Sequence, residues 1–183
     1  MTLFDVGAVL FQAGICITAV ELIGQWLLLP AAFRVGPSIA SFEELSGCPA
    51  GLATPRRDQS LTLMYRVLPG NISVFRQQWS GWVQSPFSMH GRASWANGRL
   101  SILARHPAGP WIAMLGIMVV STDATIGFLR QGQPLSAALA ALLFGGTAVL
   151  VPLFSYLRAR ARFAEVTSEL RTELGYRARE GGR

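Results

Sequence analysis

Two acidic residues, Glu21 and Asp123, stand inside apolar runs long enough to cross a bilayer. A carboxyl at the centre of a membrane helix costs about 2.5–3.5 kcal/mol on insertion scales, so such a group faces a partner helix or water. Two kinds of chemistry follow. Desolvation raises a carboxyl's pKa, and hydroxyls nearby (Thr122 and Thr125 beside Asp123, Thr147 in a later run) would complete a proton or cation relay. Alternatively, each acid hydrogen-bonds a neighbouring helix and fixes assembly, or Asp123 lies close enough to the outer interface to be wet. Only two acids and no basic partner within the apolar runs weigh toward the assembly role.

The residues flanking these acids recur at helical spacing. Gly7, Gly14, Thr18, Glu21 and Gln25 share one face of the first run, and Gly116, Asp123 and Gly127 share one face of the second. Ala137, Ala141 and Gly145 form a row of small residues in the third, with Pro152 as a possible kink. Small residues let helices approach closely and polar ones bond across the seam, so these faces read as packing surfaces.

The elements that must carry these faces are three spans, at about 6–33, 110–129 and 134–157, since about 20 apolar residues suffice to cross. The chain has 183 residues, of which 51% are hydrophobic and 14% charged, a balance that excludes an ordinary soluble domain. No Lys or Arg precedes the first run, so it lacks the n-region of a cleaved signal peptide and is expected to stay as an anchor. Pro110 and Pro134 stand where first-turn prolines are tolerated, and the short 130–134 connection makes the last two spans a hairpin.

All 16 basic residues are Arg and the net charge is +6; a GC-rich bacterial source accounts for the missing Lys. Eight Arg fall within 34–109, seven follow residue 157, and one, Arg130, marks the hairpin tip. The positive-inside rule then puts the N-terminus and the tip outside a bacterial inner membrane, and the long connection and the tail in the cytoplasm.

The expected fold is an all-α integral membrane protein: a first span in 1–33, a cytoplasmic or interfacial segment over 34–109, a hairpin over 110–157 and a helical tail over 158–183. Pro and Gly interrupt the segment 34–109, which predicts short helices against the membrane rather than a large core. Residues 71–84 read as an amphipathic interfacial helix carrying Phe75, Trp79 and Trp82, with Trp95 and Trp111 as further interfacial aromatics. The same rings would equally suit a partner subunit. Residues 61–68 and 93–104 read as two more short helices, and the Arg cluster after residue 157 is expected among anionic headgroups.

No catalytic motif stands out: the chain has no Walker loop, GxSxG, HExxH or CxxC. His90 and His106 read as solvated, and with Cys16 and Cys48 they lack the spacing of a zinc site. The expectation is therefore no enzyme, no cofactor and no metal. The partners expected are the lipid bilayer and other membrane subunits or further copies of the chain; nucleic acid is not expected, because positive-inside bias accounts for the dispersed Arg.

The order of one span, a cytoplasmic segment, two further spans and a cytoplasmic helical tail resembles the TolQ, ExbB and MotA family of proton-channel stators. The third run adds to the likeness, with Ala138-Leu-Ala-Ala-Leu-Leu-Phe-Gly145, then Thr147, Pro152, Tyr156 and a basic tail. The resemblance implies an oligomer around partner helices, with Thr147 and the hydroxyls near Asp123 lining an ion path. Two functional readings stay open: a non-enzymatic subunit assembled through helix seams, and an ion-conducting component using Asp123 and Glu21.

Overall fold

The structure, a computed structural model, describes residues 2–45, 47–52, 55, 57–59, 63–77 and 88–175. The all-α expectation fails. Alongside three long helices the chain forms a six-stranded antiparallel sheet, built from the segment expected to hold short helices. The helices are α1 (Leu3–Trp26), α2 (Ala108–Arg130) and α3 (Pro134–Glu173), each long and apolar enough to cross a membrane. The strands are β1 (Ser38–Leu45), β2 (Arg57–Gln59), β3 (Leu63–Leu68), β4 (Ile72–Gln77), β5 (His90–Ala96) and β6 (Arg99–Arg105). Two compact units result: Met1–Leu22 with Ala108–Leu157, and Ile23–Pro107 with Arg158–Arg183.

In the helical unit α1 and α2 run antiparallel with their backbones in contact. A Cβ on Gly116 would lie 2.5 Å from the Phe11 nitrogen and 2.7 Å from the Gly7 oxygen, and one on Gly14 would overlap the Ala113 backbone. Only a glycine at each crossing permits this approach, which brings many weak contacts together. At the far end of α2, Gly132 takes φ +70° and closes the helix: its N–H donates to the Leu129 carbonyl at 3.1 Å, and the Gln133 N–H donates to Phe128 at 2.9 Å. Pro134 then starts α3.

The α3 seam departs from the expected row. Ala137 and Ala140 are buried, while Ala141 is exposed. A π-turn spans Ala141–Gly145, and the extra residue in a π-turn rotates every later side chain about the axis, so the next buried alanine is Ala148. The Ser121 hydroxyl of α2 donates to the Ala140 carbonyl at 3.0 Å, at the entrance to the turn, where the regular ladder is interrupted.

The sheet unit overturns the three short helices. Residues 63–68, 72–77, 90–96 and 99–105 are strands, ordered β1-β6-β5-β4-β3-β2. In β6 the buried residues Leu100, Ile102 and Ala104 alternate with Arg99, Ser101, Leu103 and Arg105, a period of two rather than 3.6. Asn97 and Gly98, both at positive φ, turn β5 into β6 as a two-residue hairpin. Phe75, expected at a membrane surface, lies fully buried in β4 opposite Gly91. A Cβ there would come within 2.6 Å of the Phe75 ring, so the glycine makes room for the aromatic. Trp95 lies in β5, and Trp79 and Trp82 fall outside the described residues.

Each sheet face packs against a neighbouring segment over part of its area. One presents Phe42, Tyr65, Phe75 and Ile102 to the end of α3, where Arg171 stacks 5.2 Å over Phe42 and pairs with Glu44 at 2.8 Å. Val166 and Leu170 on that helix, and Leu174 just past its end, are buried. On the other face Met64 and Val74 pack with Leu28 and Phe33, just past α1. Leu28 holds φ +52°, a conformation costly for a branched side chain. Its place in the core offsets that cost, and it caps α1 as glycine does α2: Leu29 donates to Gly24 at 2.8 Å and Leu28 to Gln25 at 3.1 Å.

Candidate functional site

Glu21 sits on the α1 seam one turn beyond Thr18 and is 6% exposed. Its carboxylate meets the start of α2, where the first N–H groups of a helix have no intrahelical acceptor. Oε1 accepts the Ala108 N–H and Oε2 accepts the Gly109 N–H, each at 2.8 Å. The two bonds satisfy two orphan donors at once and set a negative charge against the positive end of the helix dipole. Gly109 is required here because a side chain would overlap the Thr18 backbone. Both carboxylate oxygens are thus occupied by backbone donors of α2.

Asp123 stands elsewhere. It lies 14 residues beyond Gly109 on the same helix, about 21 Å along the axis, and it is partly exposed, with no hydrogen bond or ion pair among the described residues. The hydroxyls around it are turned to their own backbones: Thr122 donates to the Met118 carbonyl at 2.9 Å and Thr125 to Ser121 at 2.7 Å. Thr147 donates to Leu143 within α3 and is exposed. Between Gly109 and Ser121 α2 carries no ionisable group and no hydroxyl. A cleft of about 340 Å³ among the three helices is lined by Phe4, Phe11, Val120, Phe144 and other apolar side chains. Its one hydroxyl, on Ser121, is the group bound to Ala140.

Of the seam residues, Gly7, Gly14, Thr18 and Gly116 meet at the α1–α2 contact, with Thr18 donating to the Gly14 carbonyl at 2.7 Å. Gly127 meets nothing within 4 Å. Gly7 lies opposite 116–120 in the antiparallel pair, so α1, which starts at Leu3, ends before it reaches Gly127. Gly145 approaches Ser121, a Cβ there lying 3.2 Å from its hydroxyl. Trp111 occupies the first turn of α2.

Gln25 leaves the seam altogether. It belongs to the sheet unit, is fully buried, and its amide nitrogen lies 3.2 Å from His90 Nδ1. His90 and His106, expected in solvent, are both fully buried, and the His90 ring meets Phe33 edge-on at 5.6 Å. Burial pushes the His90 pKa down to about 4; the Val35 and Ser88 backbone carbonyls oppose the shift, and the charges of His106 and Arg105 add to it. His90 is therefore a neutral, structural imidazole at ordinary pH. Reasoning from sequence missed this cluster and also Gly109 and Ala140. The Gly109–Pro110 pair at a helix start was the available signal for the first.

Among the described residues no group of His, Cys, Asp and Glu is placed to hold a metal ion. No family model, no curated protein and no solved structure matches the chain. The likeness to proton-channel stators rests on the order of the apolar runs and the third run's residues alone.

Proposed function

We propose that the protein is a non-enzymatic, multipass subunit of a bacterial inner-membrane complex, with its N-terminus outside and its C-terminus in the cytoplasm, assembling through its helices with other membrane subunits or with itself. The carrying observation is the pair of hydrogen bonds that Glu21 accepts from the start of α2: an acid committed to two backbone donors holds helices together. Asp123 supports the same reading in a different way. It lacks a partner within the described chain, yet a carboxyl on a helix in hydrocarbon is stable only against a partner or water. A neighbouring subunit's helix supplies one. The large apolar side chains exposed on α2 and α3, including Leu115, Met118, Leu150 and Phe154, provide the surrounding contact area.

Ion conduction by a stator-like component would need polar groups in series. The stretch of α2 without a hydroxyl or ionisable group, and an apolar cleft beside it, give no support to such a path.

The test is crosslinking in intact membranes. Wild type is expected to form a discrete higher-mass species that Asp123→Leu reduces at least severalfold while Gly127→Ala leaves it intact. A wild-type chain that crosslinks to nothing, itself included, would remove the assembly reading.

A further inference from the structure

Directly paired residues of an antiparallel sheet share a face, and so do residues two apart on a strand. Arg57 pairs with Arg66 on β3, and Met64 on that strand pairs with Arg76. Arg76 pairs with His90, His90 with Arg105, and Ala96 with Arg99, while Arg92 lies two residues from His90. Among the described residues, the sheet's six arginines thus project from one face, and Glu43, opposite Ser101, is the one strand acid that shares it. Glu44 and Asp58 fall on the other face.

This arginine face is also where α1 ends. Leu28 and Phe33 pack on its Met64 and Val74, and the Arg57 guanidinium reaches the Trp26 carbonyl, the last of α1, at 3.4 Å. The same Nη2 lies 3.6 Å from Met64 Sδ, and Met64 is the cross-strand partner of Arg76, so the two guanidiniums converge over one residue. Arg76 is 4% exposed, and its Nε and Nη1 have no hydrogen-bond acceptor among the described residues. Burial, and then the charge of Arg57, hold its pKa below the ordinary arginine value without making it neutral. Two cations driven together, one of them buried with idle donors, call for an anion.

We infer that Arg57 and Arg76 form a clamp for the phosphate of an anionic phospholipid headgroup, with the remaining arginines of the face supplying a broader attraction to the lipid surface. Guanidinium presents paired N–H donors that match phosphate oxygens, and a helix that crosses a bilayer ends at the depth where headgroup phosphates lie. The inference rests on the membrane reading of α1.

The test uses full-length protein in detergent, with native mass spectrometry of bound phosphatidylglycerol against phosphatidylcholine. Wild type is expected to retain phosphatidylglycerol preferentially. Arg57→Gln, at an exposed position that leaves the core intact, should weaken retention about fivefold, and the Arg57→Gln/Arg76→Gln pair about 25-fold. Arg130→Gln, away from the sheet, should leave it unchanged, and excess inorganic phosphate should not displace the lipid. Equal retention of the two lipids, no loss in Arg57→Gln, an equal loss in Arg130→Gln, or full displacement by inorganic phosphate would each overturn the clamp. Carbonate extraction of wild-type membranes, run in parallel, separates the two claims: a chain that stays in the pellet but does not discriminate lipids loses the clamp alone, and a chain that washes off loses the membrane reading.

Discussion

Glu21 accepts the backbone N–H of Gly109 at 2.8 Å, across the contact between α1 and α2, and its second oxygen takes the N–H of Ala108 at the same distance. One side chain thereby caps a helix 87 residues away in sequence and locks the depth at which α1 and α2 meet. The acid that sequence alone offers as a relay or, with more weight, as an assembly contact is, in this geometry, a cap.

Removing that cap has a graded cost. Glu21→Gln keeps one acceptor but loses the charge that complements the helix dipole, and should lower stability by about 1 kcal/mol. Glu21→Ala leaves two donors unsatisfied, one of them on the buried Gly109, and should cost about 3 kcal/mol. Thermal unfolding in detergent micelles measures both, and equal values for the two variants would mean that the hydrogen bonds contribute nothing.

The glycine seam gives a contrast within one helix. Gly116→Ala places a Cβ 2.5 Å from the Phe11 nitrogen and should destabilise the helical unit by about 1–3 kcal/mol, because backbone cannot move aside as a flexible side chain does. Gly127→Ala meets nothing within 4 Å and removes a glycine from a helix interior, so it should be neutral or stabilising by up to about 1 kcal/mol. The same unfolding assay orders the two.

What the sequence made legible follows from how far each signal reaches. Long apolar runs depend on local composition alone, and the helices Leu3–Trp26, Ala108–Arg130 and Pro134–Glu173 lie over the runs read at 6–33, 110–129 and 134–157. The small residues Gly7, Gly14 and Gly116 declare a close approach without naming its partner, and their contact with one another needed the fold. The sheet was misread for a physical reason. Ile72, Phe75 and the tryptophans after it match a helical stripe, but Pro69-Gly70-Asn71 and Asn97-Gly98 are turn signals that break such helices, and Asn-Gly between alternating residues is a hairpin. Gln25 was placed by helical spacing on the seam with Glu21; its bond to His90, 65 residues away, has no local signal.

His90 makes the sheet unit sensitive to acid. Its folded pKa, about 4, lies below the ordinary value of 6.5, so between those values the unfolded chain binds more protons than the folded one. The stability this neutral imidazole contributes is fully present above pH 6.5 and is lost as pH falls toward 4, by about 3 kcal/mol in total. Below pH 4 His90 adds no further loss. Denaturant unfolding followed from pH 7 to 4 should show this slope in wild type and a much shallower one in His90→Gln, which keeps a polar partner for Gln25.

The central claim is that Glu21 and Asp123 hold helices and do not carry protons. It is tested most directly by reconstituting wild type and Asp123→Asn into vesicles, imposing a pH gradient, and recording proton flux beside the oligomeric mass of the same samples. The account predicts no flux above empty vesicles for either protein, with the assembly of Asp123→Asn weakened. A proton flux carried by wild type and abolished in an Asp123→Asn protein whose assembly is intact would contradict it.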